Sequence, residues 1–371
     1  MANAAPLLFS AGGTGGGVYP AIAVVEALRR VAPTHKLYFI GAVGGMEHSL
    51  VPRELFSGYH EVRSGPLNGV GILRAAMSAL KILVGTVQAW SLIGQMRPAL
   101  LFLTGGWATF PTALAAWLRR VPIVIFLPDV EPARAIKVMS RLARVIMATT
   151  SDSAAYFTNN AQVVGTGYPL RSTVINATRT VGVEHFKLDP LRKTLLVFGG
   201  SRGARSINNA LAGILPDLLA DGVQIIHITG ELDWPTVQGR NEALTTDQKE
   251  HYHPFAYLHD DMGLALAAAD LAVSRAGASS LGEFPQFGLP SILIPLAFAW
   301  RYQRVNADWL ASRDAAIRLD DEQLTEKLLP TIRSIIGDPI RLEAMHKAAA
   351  ALRHPDAAGE IAQRLLDLAD S

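Results

Sequence analysis

The chain has 371 residues, which exceeds the usual size of a single core and indicates two domains of ordinary size. Its formal net charge of +2 excludes the broad basic surface of a non-specific nucleic-acid binder, so we expect no nucleic-acid partner. Because the sequence contains no Cys, disulfides, thiolate zinc sites and cysteine nucleophiles are excluded together.

The first predicted elements are a strand, a glycine-rich loop and a helix. Residues 6–9 are apolar and predict a buried strand, and residues 21–28 have a helical pattern. Residues 12–17, between them, are Gly-Gly-Thr-Gly-Gly-Gly. The backbone N–H groups of such a loop and the dipole of the helix after it suit a phosphate. Glycines that only let a helix approach a sheet would give the same pattern. The loop alone therefore does not distinguish a phosphate site from a structural turn.

Apolar runs separated by helical patterns continue through the first half. They lie at residues 36–41, 99–103, 122–126, 144–148 and 162–165. This alternation predicts a parallel sheet covered by helices on both faces. A second glycine turn, Gly105-Gly106, follows the second of these runs. Because ligands in such folds bind beyond the carboxyl ends of strands, we expect both turns to open on one cleft.

Residues 75–93 form the most apolar stretch of the chain. Lys81, Gln88 and Gly85 interrupt it, which argues against a membrane-spanning helix, since such a helix needs about 20 nearly uninterrupted apolar residues. We therefore expect a helix that is buried in the domain or lies on a membrane surface. Residues 1–5 are too short and too uncharged for a signal peptide, which predicts a cytoplasmic protein.

The pattern of strand and glycine turn starts again in the second half. Strands are predicted at residues 193–198, 224–230, 270–274 and 291–295, and a Gly-Gly-Ser turn at residues 199–201 follows the first of them. The chain ends in two helical stretches, residues 341–352 and 357–369. Two similar α/β halves predict two domains facing each other across a cleft, a common position for a ligand.

The densest group of chemically capable residues lies at residues 274–283. A strand ends at Ser274 and a helix is predicted to begin near Ala278, so the turn at Gly277 offers N–H groups to an anion, helped by Arg275. Glu283 can accept hydrogen bonds from two vicinal hydroxyls, as in ribose recognition. The alternative is that Glu283 is a solvated surface acid paired with Arg275.

These stretches together resemble the MurG family over nearly the whole chain. The matching segments are residues 12–16, 105–106, 199–205, 260–262, 275–290 and 303–307. The resemblance implies an α/β protein with the GT-B fold, two Rossmann-like domains facing across a cleft. It places an acceptor- and membrane-binding domain at residues 1–166, a UDP-sugar domain at residues 167–345, and a C-terminal helix at residues 346–371 that packs back on the first domain.

The activity that the resemblance implies is an inverting transfer of N-acetylglucosamine. UDP-N-acetylglucosamine would be the donor, and the acceptor would be the polyprenyl-pyrophosphate-linked muramoyl peptide called lipid I, which becomes lipid II. Neither a cofactor nor a metal is expected. The enzyme would work at the cytoplasmic face of the inner membrane, and the apolar helix at residues 75–93, flanked by Arg74 and Arg97, would contact that surface.

The resemblance also assigns site residues. Those implied to bind the donor are Arg171, Ser201, His259, Arg275, Ala278, Glu283, Gln303 and Asn306. Glu283 would hold the ribose, Ser201 and the Ala278 backbone the pyrophosphate, the backbone near His259 the uracil, and Gln303 and Asn306 the sugar. Those implied to bind the acceptor are Thr14, Gly15, Gly16, Gly17, Gly105 and Gly106.

Three positions depart from the family pattern. Gly17 stands where the family has His, a candidate general base. Asp129 replaces the Asn that ends a family His-Glu-Gln-Asn run, and Trp-Arg-Tyr at residues 300–302 replaces Asp-Arg-Gln. Either Asp129 or Glu131 is therefore a candidate base, unless both cap the helix predicted at residues 135–142. A transferase with another lipid acceptor, or a nucleotide-sugar-binding protein that has lost catalysis, remain the alternatives.

Overall fold

The computed structural model describes residues 5–13, 15–67, 71–158, 162–200, 203–296 and 302–370. The chain forms two compact units, one made of Met1–Arg171 with Asp356–Ser371 and the other of Ser172–Pro355. Thr14, Ser201 and residues 300–301 lie outside the described residues.

The first unit alternates strands and helices. They are β1 (Leu7–Ser10), α1 (Gly15–Val31), β2 (Leu37–Ala42), α2 (Glu47–Leu50), β3 (Gly58–Val62), α3 (Ile72–Met96), β4 (Leu100–Leu103), α4 (Phe110–Leu118), β5 (Ile123–Leu127), α5 (Arg134–Met139), β6 (Val145–Ala148) and β7 (Gln162–Gly165). The strands form one parallel sheet in the order β3-β2-β1-β4-β5-β6-β7. Because β1, β4 and β5 are neighbours, their carboxyl ends lie side by side.

The second unit repeats this plan. Its elements are α6 (Ser172–Ile175), α7 (Arg179–His185), β8 (Thr194–Phe198), α8 (Arg205–Ala220), β9 (Gln224–Ile228), α9 (Trp234–Glu242), α10 (Thr246–Glu250), β10 (Tyr252–Phe255), α11 (Met262–Ala268), β11 (Leu271–Ser274), α12 (Ser280–Phe287), β12 (Ser291–Leu293), α13 (Tyr302–Ala311), β13 (Ala316–Arg318), α14 (Leu324–Ile336) and α15 (Pro339–Ala351). Its parallel sheet has the order β10-β9-β8-β11-β12-β13, so β8 and β11 are neighbours. The chain ends with α16 (Ala357–Ala369).

The central strands of both sheets are apolar because helices cover both of their faces. Leu8 of β1, Leu101 of β4 and Ile125 of β5 are fully buried, as are Leu195 of β8 and Leu271 of β11. The predicted parallel α/β architecture is therefore confirmed. The sequence did not predict β3, β10 and β13, which are edge strands and only partly buried.

The helix α3 covers the predicted apolar stretch and has two different faces. The residues on its buried face are Ser78, Ile82, Gly85, Thr86, Ala89 and Ile93. Gly85 is required here, since a Cβ would overlap the carbonyl oxygen of Arg63. The large apolar residues left exposed are Ile72, Leu73, Met77, Leu80, Leu83, Val87 and Trp90. By length and composition alone, α3 is apolar enough to cross a membrane, and a third of its apolar window (33%) is buried inside the unit.

The C-terminal boundary differs from the sequence-based one. The predicted division after residue 345 would cut α15, which packs against α12 and α14 and so belongs to the second unit. The helix α16 contacts α1 and β4 of the first unit. Asp356 caps it by accepting a hydrogen bond from the backbone N–H of Gly359 at 3.2 Å.

Candidate functional site

Two glycine turns meet at the carboxyl edge of the first sheet. The first joins β1 to α1, and Gly13 in it has a φ of +92°. The second follows β4, where Gly105 and Gly106 have φ of +93° and +86°, a backbone conformation that L side chains rarely adopt. The turns touch, because a Cβ on Gly106 would lie 3.2 Å from the carbonyl oxygen of Gly12. Thr14 lies outside the described residues.

The first turn of α1 contains the predicted acceptor residues Gly15, Gly16 and Gly17. Helix N–H groups in this turn have no partner within the helix and can bind an anion. Gly17 is buried, and a Cβ on it would point toward the carbonyl oxygen of Gly12 at 3.2 Å and Thr104 Oγ1 at 3.6 Å. Thr104 Oγ1 is itself buried with no hydrogen-bond partner among the described residues.

The segment after β7 contacts the same turn. Pro20 in α1 has no N–H to give to the carbonyl of Gly16, four residues earlier, and the hydroxyl of Tyr168 donates to that oxygen at 3.3 Å. The guanidinium of Arg171 lies over the ring of Tyr19 at 4.4 Å. Arg171 was predicted to bind the donor, but the structure groups it with the first glycine loop.

A buried carboxylate, which the sequence analysis missed, lies behind this loop. Glu47 is fully buried, and its Oε1 accepts the backbone N–H of Ala42 at 2.6 Å. Its Oε2 has no hydrogen-bond partner among the described residues. A Cβ on Gly12, Gly41 or Gly45 would collide with the Glu47 side chain. The only local signal in the sequence is the group of glycines at residues 41–45.

The two candidate bases follow β5, next to the glycine turn of β4. Glu131 is 8% exposed, and Lys137 Nζ lies 3.5 Å from its Oε1. Asp129 is half-buried. Neither residue occupies the N-cap position of α5, which begins at Arg134 with Ala133 as its N-cap.

In the second unit, the glycine loop between β8 and α8 has the features expected of a phosphate loop. Gly200 and Gly203 have φ of +85° and +73°. A Cβ on Gly203 would overlap the carbonyl oxygen of Thr229, so only Gly fits. The N–H groups of the first turn of α8 follow directly. Ser201, the predicted pyrophosphate contact, lies outside the described residues.

Arg275 is paired within the second unit. Its Nη1 donates to both carboxylate oxygens of Asp321 at 3.0 and 3.1 Å, and its Nη2 donates to Ser206 Oγ at 2.7 Å. Its side chain is only 10% exposed. The predicted alternative, an ion pair with Glu283, is therefore wrong. Arg275 ties the end of β11 to the first turn of α8.

The turn before α12 is held by hydrogen bonds within the segment. Ser280 Oγ donates to the carbonyl of Gly277 at 2.6 Å, and the buried Asn306 donates through Nδ2 to the carbonyl of Ala276 at 3.2 Å. Ala278 lies between these points, and Glu283 stands half-buried in the first turn of α12. The structure thus brings Ala278, Glu283 and Asn306 together around one turn.

The remaining predicted donor residues lie near the ends of other elements. Gln303, in the first turn of α13, accepts the backbone N–H of Leu296 through Oε1 at 2.9 Å. His259 is exposed and contacts the ring of Tyr257.

One group of residues could hold a metal ion by ligand spacing, although none was predicted. Asp247, Glu250 and His251, at the end of α10, place one ligand atom each within 4.8 Å of one another. The two acids are exposed, and such groups are common without an ion.

Two parallel α/β units, each with glycine turns at the carboxyl ends of adjacent strands, agree with the GT-B fold, and the matched family models give the class of protein: glycosyltransferases. Residues 7–148 match the N-terminal domain of glycosyltransferase family 28, and residues 194–361 match its C-terminal domain. The structure of MurG from Acinetobacter baumannii has the same fold, with a TM-score of 0.75, 24% identity, and coverage of 97% of this chain and 99% of that one.

Curated relatives narrow the class to one family. A Roseiflexus sp. (strain RS-1) protein is 37% identical, covering 95% of this chain and 92% of that protein. A Halalkalibacterium halodurans protein is 34% identical, covering 96% of this chain and 97% of that protein. Both are named "UDP-N-acetylglucosamine--N-acetylmuramyl-(pentapeptide) pyrophosphoryl-undecaprenol N-acetylglucosamine transferase". The chain belongs to this MurG family of glycosyltransferases, as the sequence resemblance predicts.

Proposed function

We propose that the protein transfers N-acetylglucosamine from UDP-N-acetylglucosamine to the muramoyl sugar of lipid I, forming lipid II. The observation that carries this proposal is the full-length similarity to relatives named for that reaction. The two units supply the phosphate-binding turns that the reaction needs. One set lies at β1 and β4, and the other lies at the starts of α8 and α12.

The donor belongs to the second unit in this proposal. N–H groups at the starts of α8 and α12 stabilise the charge that develops on the leaving UDP. Glu283, in the first turn of α12, accepts hydrogen bonds from the ribose hydroxyls, and Gln303 and Asn306 lie on the sugar side. Since backbone dipoles take the charge, we propose that no metal is needed, so activity should persist in a chelator.

The acceptor belongs to the first unit, with its pyrophosphate at the touching glycine turns of residues 12–17 and 105–106. The acceptor hydroxyl attacks the anomeric carbon as the bond from that carbon to the UDP oxygen breaks, and UDP leaves with the charge. We assign Asp129 as the group that takes the hydroxyl proton, because Gly17 has no side chain to do so. Glu131 is more buried and lies beside Lys137, so we assign it a supporting role.

The lipid tail of the acceptor gives the exposed face of α3 a function. This face presents Leu80, Leu83 and Val87 to solvent, and Lys81 and Arg97 supply positive charge beside it. An apolar helix face edged by cations binds the surface of an anionic membrane. We propose that the first unit rests on the cytoplasmic leaflet through α3 and remains peripheral.

The test is transfer of radiolabelled N-acetylglucosamine from its UDP donor to a short-chain lipid I analogue. The proposal expects labelled lipid II from the wild-type protein and little from a Glu283→Gln variant, which loses the ribose acceptor. If the protein binds UDP measurably but no labelled lipid forms, the proposal is wrong.

A second candidate is a transferase of the same fold with another lipid acceptor. It is favoured by Gly17 and by Leu-Pro-Asp at residues 127–129, since both departures from the family pattern lie on the acceptor side. In the same assay, product with other polyprenyl or diacylglycerol lipids but not with the lipid I analogue would select this candidate. Donor binding with no product from any lipid would indicate a binding protein instead.

A further inference from the structure

A series of side-chain hydrogen bonds runs from the buried Tyr252 to the exposed Arg205 in the second unit. The Tyr252 hydroxyl lies 2.7 Å from Nδ1 of His227, whose Nε2 lies 3.0 Å from Oδ1 of Asn208. Asn208 Nδ2 donates to Asp233 Oδ2 at 2.9 Å, and Arg205 Nε donates to Asp233 Oδ1 at 2.9 Å. His227 and Asn208 are 1% and 2% exposed. None of these hydrogen-bonded residues is among the predicted donor or acceptor residues.

The direction of each hydrogen bond is determined by its partners. Asn208 Nδ2 meets two acceptors, the Asp233 carboxylate and the carbonyl of Thr229 at 2.9 Å, so the amide oxygen faces His227. An amide oxygen only accepts, which puts a proton on Nε2 of His227. Burial lowers the pKa of His227 to about 3, so the ring is neutral and Nδ1 accepts from the Tyr252 hydroxyl.

This series of hydrogen bonds ends beside the loop that precedes α8. Arg205 is the first residue of α8, and Asn208 lies in its first turn. The Thr229 carbonyl that accepts from Asn208 is also the group that a Cβ on Gly203 would overlap. Asn208 therefore fixes the distance between the first turn of α8, the end of β9 and the glycine loop.

Hydrogen bonds at both ring nitrogens orient the His227 side chain. A cavity of about 140 Å³ lies beside it, lined by His227, Tyr252, Leu215, Val237 and Leu244 among others. The bond from Nε2 to Asn208 is thus the contact that couples His227 to α8.

We propose that His227 is a positioning residue for the UDP donor: through Asn208 it holds the first turn of α8 in the geometry that binds the pyrophosphate. This inference rests on the proposed function, because it takes the second unit as the donor unit. It assigns His227 no contact with substrate. The effect of losing it falls on donor binding and leaves acceptor binding unchanged.

Two polar variants separate the two ends of the His227 ring. The amide nitrogen of Gln can occupy the place of Nε2, so His227→Gln keeps the bond to Asn208 and loses the one to Tyr252. Asn is shorter and reaches only the place of Nδ1, so His227→Asn keeps the Tyr252 end and loses Asn208. Tyr252→Phe is the matched control, because it removes only the hydroxyl at the far end.

The measurements are the Kd for UDP by calorimetry, the KM for each substrate and the melting temperature. We expect His227→Asn to weaken UDP binding and to raise the donor KM by about tenfold, with the acceptor KM unchanged, since an unpaired buried acceptor is left at Asn208. His227→Gln and Tyr252→Phe should stay within about threefold of the wild-type values.

A His227→Asn protein that binds UDP as the wild type does would overturn the inference, as would equal losses in His227→Gln and His227→Asn. If His227→Asn does not fold, Asn208→Ala takes its place in the comparison with His227→Gln. Asn208→Ala is then expected to bind UDP about tenfold more weakly than the wild type. Wild-type protein that binds UDP but transfers nothing contradicts the proposed function and leaves this comparison intact. Wild-type protein that binds no UDP contradicts both.

Discussion

Neutralising Asp321 should destabilise the second unit through the arginine that it pairs with. Arg275 is 10% exposed and Asp321 is 23% exposed, so the Asp321→Asn change leaves a nearly buried guanidinium without its counter-charge. Two unit charges about 4 Å apart attract by about 4 kcal/mol at an effective dielectric constant of about 20. Removing one partner of a buried pair costs about 3–5 kcal/mol. Since water can reach Asp321, we expect the lower end, about 3 kcal/mol.

The assay is thermal unfolding of the full chain, followed with and without UDP. A loss of about 3 kcal/mol in a unit of this size lowers the Tm by about 6–12 °C. The control is Glu343→Gln, which breaks the exposed pair with Lys347 in the same unit and should cause no measurable shift. A Tm for Asp321→Asn that stays within 1 °C of the wild-type value, roughly the error of such a scan, would refute the reasoning.

Three further predictions follow from the described residues. Asp129→Asn should lower kcat by about 10²–10⁴-fold with an unchanged Kd for UDP, whereas Glu131→Gln should lower it far less; equal kcat values in a steady-state assay would remove Asp129 as the base. Replacing the exposed Leu83 with Glu should reduce sedimentation with anionic vesicles, whereas Val181→Glu, an exposed site in the second unit, should not. The lowered pKa of His227 means that the unfolded chain binds the proton more tightly, so the contribution of His227 to stability is fully present above about pH 6.5 and is lost at about 1.4 kcal/mol per pH unit toward pH 3. Urea titrations at several pH values in this range should give a free energy of unfolding that falls more steeply with falling pH in the wild type than in His227→Gln. Equal pH dependence in the two proteins would contradict the assignment.

The sequence predicted the centre of each sheet and the edge strand β7 but missed the edge strands β3, β10 and β13. β1, β4, β5, β8 and β11 are continuous apolar runs, because strands covered on both faces need no polar side. β3 is Gly-Tyr-His-Glu-Val and β10 is Tyr-His-Pro-Phe, and these edge strands are partly exposed, so they lack that signal. A half-buried edge strand of four or five residues resembles a loop in sequence.

The same limit applied to the candidate site. The glycine turns were found because the conformation they need is local, and Gly105, Gly106 and Gly200 do have positive φ. The alternative that pairs Arg275 with Glu283 was wrong because the actual partner, Asp321, is 46 residues away along the chain. Nothing near Arg275 in sequence identifies that partner. Glu47 was missed for the same reason, since only the fold brings it against Gly12.

The packing around Glu47 has an evolutionary consequence. Gly12 lies about 30 residues before Gly41 and Gly45, yet all three are close to the same buried carboxylate. A larger residue at Gly45, where the three nearest atoms all belong to Glu47, should be tolerated only after Glu47 has become shorter, whereas one at Gly12 would still meet the Cβ of Ala108. Among descendants of this sequence, Gly45 and Glu47 should therefore change together or remain fixed together, as an epistatic pair.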